Sequence, residues 1–241
     1  MILIAWRGGL EGGKENTIKA IKFSLKYSEI IEVDVRMTKD NILVLTHSPL
    51  INQKKIKDSE WDEVRDKIEK LEDTIPLVLD KGKRLMIDIK QKKIESRILD
   101  LIKNFEREKI IINSLQKDVL FRVRNLDQTI NISIGFTQVR YTSSYVKKLI
   151  EKLRPYCVTP HKKNAPLITL LKKLRAQHHF LIFPWLIERV EEVEKIKYAD
   201  GIVTPFPKTL FSALKYHKMG PPGVEPGSPP REGGFSDLSY H

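Results

Sequence analysis

The stretch from Ile30 to His47, I-I-E-V-D-V-R-M-T-K-D-N-I-L-V-L-T-H, constrains the fold more than any other part of the chain. Its β-branched opening favours a strand, and side chains two apart on a strand point to the same face. Glu32 and Asp34 therefore look the same way. Buried strands of parallel sheets read as nearly continuous apolar runs, so two carboxylates set i, i+2 inside one need a partner that offsets their desolvation. A divalent cation is the natural candidate. Asp40-Asn41 supplies a turn, Ile42 to Leu45 a second short strand, and His47 arrives at its end, within reach of the same site. Taken singly, Glu32 or Asp34 reads as the partner of a structural Lys or Arg and His47 as a loop histidine; together, at this spacing, they favour a site.

The rest of the chain alternates. Strand patterns at Met1 to Ala5, Ile30 to Arg36, Arg84 to Lys90, Lys109 to Asn113, Ile130 to Phe136, Tyr156 to Thr159, Phe180 to Phe183 and Gly201 to Thr204 are interleaved with helical ones. Asn16 or Thr17 can cap the first helix, whose apolar residues include Ile18 and Ile21. Helical patterns are expected over Trp61 to Leu71 and Leu77 to Asp80, and the last runs from Pro207 to Tyr216. Eight alternating β and α units imply a parallel sheet of the α/β class and favour its closure into a (β/α)8 or TIM barrel, spanning 1–218. A nucleotide-binding open sheet fits poorly, because R-G-G-L-E-G-G lacks the G-x-G-x-x-G spacing and no G-K-[ST] occurs. From 219–241 the composition changes abruptly, with five prolines, five glycines and no lysine after Met219. Such a segment cannot bury a core, and a disordered tail is expected.

Composition limits the partners. Lysine and arginine exceed aspartate and glutamate by 43 to 31, a net charge of +12, which would draw in a phosphate-bearing ligand. The excess sits mostly beside glutamates in helical patterns such as K-K-L-I-E-K-L-R, so nucleic acid is not the expected partner. The single Cys157 excludes an internal disulfide and fits a reducing compartment. The apolar opening before Arg7 is too short for a signal peptide, and no apolar run reaches membrane-spanning length. A cytoplasmic protein is expected; nothing in the pattern indicates an oligomeric state.

In parallel barrels the active site forms where the strands end, so the residues closing each strand carry the chemistry. These include Trp6-Arg7-Gly8, Glu32 and Asp34, Asp88 and Lys90, Asn113-Ser114, Thr159-Pro160-His161 and Pro184-Trp185. Three carboxylates converge with an arginine, a lysine and a histidine. Hard oxygen ligands without a thiolate or histidine pair suit Mg²⁺ or Ca²⁺ better than zinc. Glu32, Asp34 and Asp88 would hold the cation, Arg7 and Lys90 an anionic substrate such as a phosphate, and His47 would move a proton.

These motifs resemble those of the glycerophosphodiester phosphodiesterases. The family's H-R-G, P-E-N-T, E-x-D-V-x-x-T-x-D, H-D, E-x-K and G-I-x-T-D-x-P appear as Trp6-Arg7-Gly8, Lys14-Glu15-Asn16-Thr17, Glu32 to Asp40, His47-Ser48, Asp88-Ile89-Lys90 and Gly201 to Pro207. Ser114 and Trp185 match a serine and a tryptophan of the family's fourth and seventh strands, and so become substrate-lining candidates. The resemblance implies a hydrolase of lipid metabolism that cleaves a small phosphodiester to a glycerol phosphate and an alcohol. It also marks departures. Trp6 stands where the family has the first of two acid–base histidines, Asp88 where it has a glutamate, and Ser48 where it has an aspartate. The resemblance thus carries two expectations: a phosphodiesterase of reduced activity, with water or a side chain such as His161 in place of the missing histidine, or a catalytically impaired barrel that binds a phosphodiester or phospholipid head group as sensor or scaffold.

Overall fold

The computed structural model describes residues 1–219, with side chains to Lys215. Eight barrel strands are labelled here in chain order: β1 (Ile2–Ala5), β2 (Ile30–Met37), β3 (Arg84–Ile89), β4 (Ile110–Ser114), β5 (Asn131–Phe136), β6 (Cys157–Pro160), β7 (Leu181–Ile182) and β8 (Gly201–Thr204). They lie side by side in the order β7-β6-β5-β4-β3-β2-β1-β8, every neighbouring pair parallel. The ends of this ribbon meet. Asp200 N donates to Ile182 O at 3.1 Å and Val203 N to Pro184 O at 3.0 Å, which joins the β7 edge to the β8 edge. The expected TIM barrel is therefore closed. Eight helices cover it: α1 (Ile18–Ser24), α2 (Leu71–Leu79), α3 (Glu95–Ile102), α4 (Lys117–Leu126), α5 (Ser143–Leu153), α6 (Ala165–His178), α7 (Val190–Glu194) and α8 (Pro207–Met219).

Closure sorts each strand's side chains by parity. One set, including Ile31, Val33, Ile87, Ile112 and Ile134, packs outward against the helices in the largest core cluster. The other set points inward, where Ile4, Ile30, Met86, Ile111, Cys157, Phe183 and Val203 fill the lumen. The barrel is thus a packed core, as its size demands.

Two expectations need revision. The helix expected over Trp61 to Leu71 stops at Val64, because Glu69–Lys70 is recruited as a two-residue strand against Leu43–Leu45, itself paired antiparallel to β2. The next helix begins at Leu71 and runs through Pro76, absorbing the short helix expected from Leu77. Pairing between residues this far apart overrides local helical periodicity, and so short a strand has no pattern of its own. The Pro/Gly-rich tail expected over 219–241 lies outside the described residues, apart from Met219 at the end of α8.

At the β1–β8 seam, Ile2 pairs with Gly201, and a Cβ added to Gly201 would sit 2.3 Å from Ile2 O, a backbone atom that cannot turn away. Gly201→Ala should therefore destabilise the chain by about 1–3 kcal/mol, the usual cost of overpacking. Denaturant unfolding checks this, and an unchanged midpoint would mean that the seam is looser than described.

Candidate active site

Inward parity continues past the lumen. Two residues beyond each lumen side chain stands one at the strands' C-terminal mouth: Trp6 after Ile4, Glu32 after Ile30, Asp88 after Met86, Asn113 after Ile111, Thr159 after Cys157 and Trp185 after Phe183. These six line one cavity together with Arg7, His47, Met86, Lys90, Leu115 and Val203. Asp34, one further step along β2, is fully buried beneath it.

Glu32, Asp34 and Asp88 are brought together. Each offers an oxygen within 4.8 Å of the others, and all three residues are buried. Glu32 Oε1 and Asp88 Oδ1 are buried oxygens with neither a hydrogen bond nor an ion pair, and the partner of Asp34 Oδ1 is the Lys90 ammonium. Their other oxygens are fixed. The Arg7 backbone N–H donates to Glu32 Oε2 at 2.7 Å, and Asn16 clamps Asp34, its Nδ2 donating to Oδ2 at 3.0 Å while its Oδ1 accepts from the Asp34 N–H at 2.9 Å. Both donors sit on left-handed backbone, Arg7 at φ 52° and Asn16 at φ 57°, and are tied together by Asn16 N donating to Arg7 O at 2.8 Å. Asparagine tolerates that region better than most side chains; an arginine there is a local cost that the surrounding bonds must hold in place.

Two cations face the carboxylates. Arg7 Nε lies 3.0 Å from Asp34 Oδ2, Arg7 Nη1 2.7 Å from Glu15 Oε2, and its guanidinium stacks 4.0 Å over the Trp6 ring. Lys90 Nζ lies 2.9 Å from Asp34 Oδ1 and 2.6 Å from Asp88 Oδ2. With Glu15, four carboxylates meet two cationic groups. Fully ionised, the cluster carries two negative charges too many, the charge of one divalent ion. The unpaired oxygens, the all-oxygen donor set and this imbalance fit a hard cation such as Mg²⁺ or Ca²⁺. The titration behaviour agrees. Burial, then repulsion from Asp34 and Asp88, pushes Glu32 well above its ordinary value. Burial raises Asp88 as well, although Lys90 opposes it. Burial alone would lower Lys90, but the carboxylates of Asp88, Asp34 and Glu32 outweigh it and raise it.

His47 reaches the same cavity from beyond the Leu43–Leu45 strand. Burial and the Arg7 charge hold it below the usual histidine value, so it is mostly neutral at neutral pH. Ser114 is placed elsewhere. It has the outward parity of β4, is fully buried, and its hydroxyl donates to Ile89 O at 3.0 Å and accepts from Gln116 N at 3.1 Å, while Asn113 and Leu115 on either side line the cavity. Trp185 does line it, with Nε1 donating to Phe136 O at 3.0 Å. His161 is outside the lining. Its Nδ1 accepts from Lys163 N at 3.1 Å, its Nε2 lies 3.1 Å from Gln138 Nε2, and Trp185 packs edge-on against it at 4.9 Å. Asn113 and Thr159, which close β4 and β6, line the cavity as strand parity requires; Leu115 joins them from just beyond β4, where no strand pattern in the sequence marks it.

Fold and site together define a (β/α)8 barrel with a buried acidic cluster at the mouth where such barrels carry their chemistry. The model of the glycerophosphoryl diester phosphodiesterase family matches residues 7–209. The chain belongs to that family. It is 27% identical over 243 residues to a glycerophosphodiester phosphodiesterase of Caldanaerobacter subterraneus subsp. tengcongensis, covering 89% of this chain and 98% of that one. Among solved structures it is similar to the glycerophosphodiester phosphodiesterase of Thermotoga maritima, with TM-score 0.77, 23% identity and coverage of 89% and 98% of the two chains. It is also similar to an Oleispira antarctica phosphodiesterase determined in complex with the product sn-glycerol-3-phosphate, with TM-score 0.79, 16% identity and coverage of 90% and 97%. At these identities the structural likeness speaks for the fold.

The Glu32 shift has a testable sign. Its carboxyl holds a proton more tightly in the folded chain than at the ordinary 4.5, so its contribution favours the fold below that value and is lost as pH rises through the raised one. A cation takes the proton's place only on the high-pH side. Magnesium or calcium ions should therefore raise the Tm at about pH 8 and much less at about pH 5, and Glu32→Gln should remove most of the difference. Thermal melts at both pH values check this; an equal rise at both would place the binding at other groups.

Proposed function

We propose that this chain is a metal-dependent phosphoric diester hydrolase that cleaves glycerophosphodiesters to a glycerol phosphate and an alcohol, at a reduced rate. The observation that carries the reading is the set of three buried carboxylates, two of them with an unpaired oxygen, gathered around Lys90 at a cavity that His47 also lines. Support comes from the family, and from the Oleispira antarctica barrel of the same fold determined with sn-glycerol-3-phosphate.

A divalent cation held by Glu32, Asp34 and Asp88 would supply positive charge to offset what develops on a phosphoryl group. The chain's own groups do the rest. The Arg7 N–H and the Asn16 amide orient Glu32 and Asp34 so that one oxygen of each faces the cluster. Lys90, kept charged by its carboxylate neighbours, offers a donor to a phosphate oxygen. Glu15 and Asp34 occupy the Nη1 and Nε donors of Arg7, which leaves its field and Nη2 for an anionic substrate. His47, neutral and lining the cavity, takes a proton from the attacking water. Its counterpart is missing. Trp6 has an N–H donor but no exchangeable acid near neutral pH, and His161 is held outside the cavity by its own bonds. The leaving oxygen must then take its proton from water, and one such group is typically worth about 10²- to 10⁴-fold in rate.

The stack of Arg7 on Trp6 favours a second reading, in which turnover is lost and the barrel binds a phosphodiester head group as a sensor. The extent of the barrel domain as 1–218, a small-molecule rather than nucleic-acid partner and a cytoplasmic site of action belong to the same proposal. Among the described residues no helix is long and apolar enough to cross a membrane.

Assay of glycerophosphodiesters with Mg²⁺ or Ca²⁺ should release glycerol phosphate, and chelation should stop it. His47→Ala should lower kcat by about 10²-fold or more, and Trp6→His should raise it. Turnover at the buffer rate with metal-dependent ligand binding intact would instead establish the sensor. Because His47 acts as a base and is held below its ordinary 6.5, kcat/KM should fall toward acid with a midpoint below that value. A profile that rises toward acid would assign it the opposite role.

A further inference from the structure

Glu32, Asp34 and Arg36 occupy successive inward positions along β2, and Arg36 lies just above the acidic cluster. A guanidinium so close to carboxylates would be expected to pair with one. Among the described residues it forms no ion pair, and its donors go to two main-chain carbonyls. Nε and Nη2 donate to His47 O at 3.1 and 2.9 Å, and Nη1 donates to Lys90 O at 3.2 Å. The side chain is half-buried, and burial holds it below its ordinary value despite the Asp34 charge.

The two carbonyls belong to the segments that carry the proposed base and the proposed phosphate ligand. His47 itself is exposed, and its imidazole has no hydrogen-bond partner among the described residues. Its backbone is moored on one side by Thr46 N donating to Asp34 O at 2.9 Å. On the other side the Arg36 fork is the tether. Two N–H groups converging on one carbonyl while a third reaches another is a geometry that the planar guanidinium provides and an ammonium cannot.

We propose that Arg36 is a positioning residue that holds His47 in register with Lys90 across the cavity. The inference rests on the reading of His47 as the base, and extends it to how the base is aimed. Misplacing a reacting group by about 1 Å can cost about 100-fold in rate, so loss of the clamp should appear in kcat.

Three variants test it, with Mg²⁺ and a glycerophosphodiester as probes. Arg36→Met, which keeps bulk without donors, should lower kcat about 100-fold with KM changed less than about threefold. Arg36→Lys should recover only a minor part of the loss. The Arg36→Met, His47→Ala double variant should be no more than about twofold slower than His47→Ala alone, because a residue acting through His47 has nothing left to act on. Losses that multiply, a full recovery by lysine, or an effect confined to KM would each overturn the proposal. If the wild-type chain shows no turnover, the proposed function fails first, and the clamp is read without it. Backbone ¹⁵N order parameters over Thr46, His47 and Ser48 should then fall from the rigid range near 0.85 toward 0.6 in Arg36→Met, and unchanged values would refute the clamp. Should Arg36→Met not fold, as judged by its melt, Arg36→Lys carries both measurements.

Discussion

Desolvating three carboxylates in one place is the constraint on which the mouth of this barrel depends. Glu32, Asp34 and Asp88 are drawn out of water, and an uncompensated buried charge costs several kcal/mol even after the protein relaxes. Each neighbour in the site reads as a response. Asn16 is bent into left-handed backbone to reach Asp34 twice; Arg7 takes the same conformation and turns its N–H onto Glu32; Lys90 sits between Asp34 and Asp88. These partners stop short of full compensation: Glu32 Oε1 and Asp88 Oδ1 stay unpaired in a cluster where each carboxylate offers an oxygen within 4.8 Å of the others.

Closure of the sheet makes that convergence unavoidable. In an open sheet the inward parity of one strand would meet solvent or a helix. Here it meets the inward parity of the others, so the layer two residues above the lumen core closes around one cavity, with Met86 and Val203 of that core lining it from below. The same rule turns Ser114 away: its neighbours Asn113 and Leu115 face the cavity, while its hydroxyl ties β4 to β3. Family motifs record which residues recur at a strand end, and parity decides which way each of them points.

The site is unequal in its two halves. The three carboxylates proposed to hold a cation, and the groups that support them, are all present. The proton-moving half rests on His47, since Trp6 fills the first histidine's place and forms a stacked surface for Arg7 instead of an acid. On the proposed reading, such a site would keep its means of binding a phosphodiester and lose part of its means of cleaving it. His47 thus depends on what aims it, and the structure supplies Arg36 for that.

Much of this was legible in the sequence because it is local. The i, i+2 spacing in Glu32-Val33-Asp34 and Asp88-Ile89-Lys90 fixes shared faces, the alternation of strand and helix patterns fixes the barrel, and the turn at Asp40-Asn41 delivers His47 to the same end. The rest depends on residues that only closure brings together. Arg7 reaches Glu32 across 25 positions, and Arg36 meets the Lys90 carbonyl across 54. No periodicity encodes whether a given arginine will meet a carboxylate or a carbonyl. The recruitment of Glu69–Lys70 into a strand and the bonds that tie His161 outside the cavity are likewise settled by partners remote in the chain. The sequence alone determined which chemical groups face the mouth; the tertiary structure decided which of them are already spent on one another, because hydrogen bonds and charge pairs form between neighbours in space.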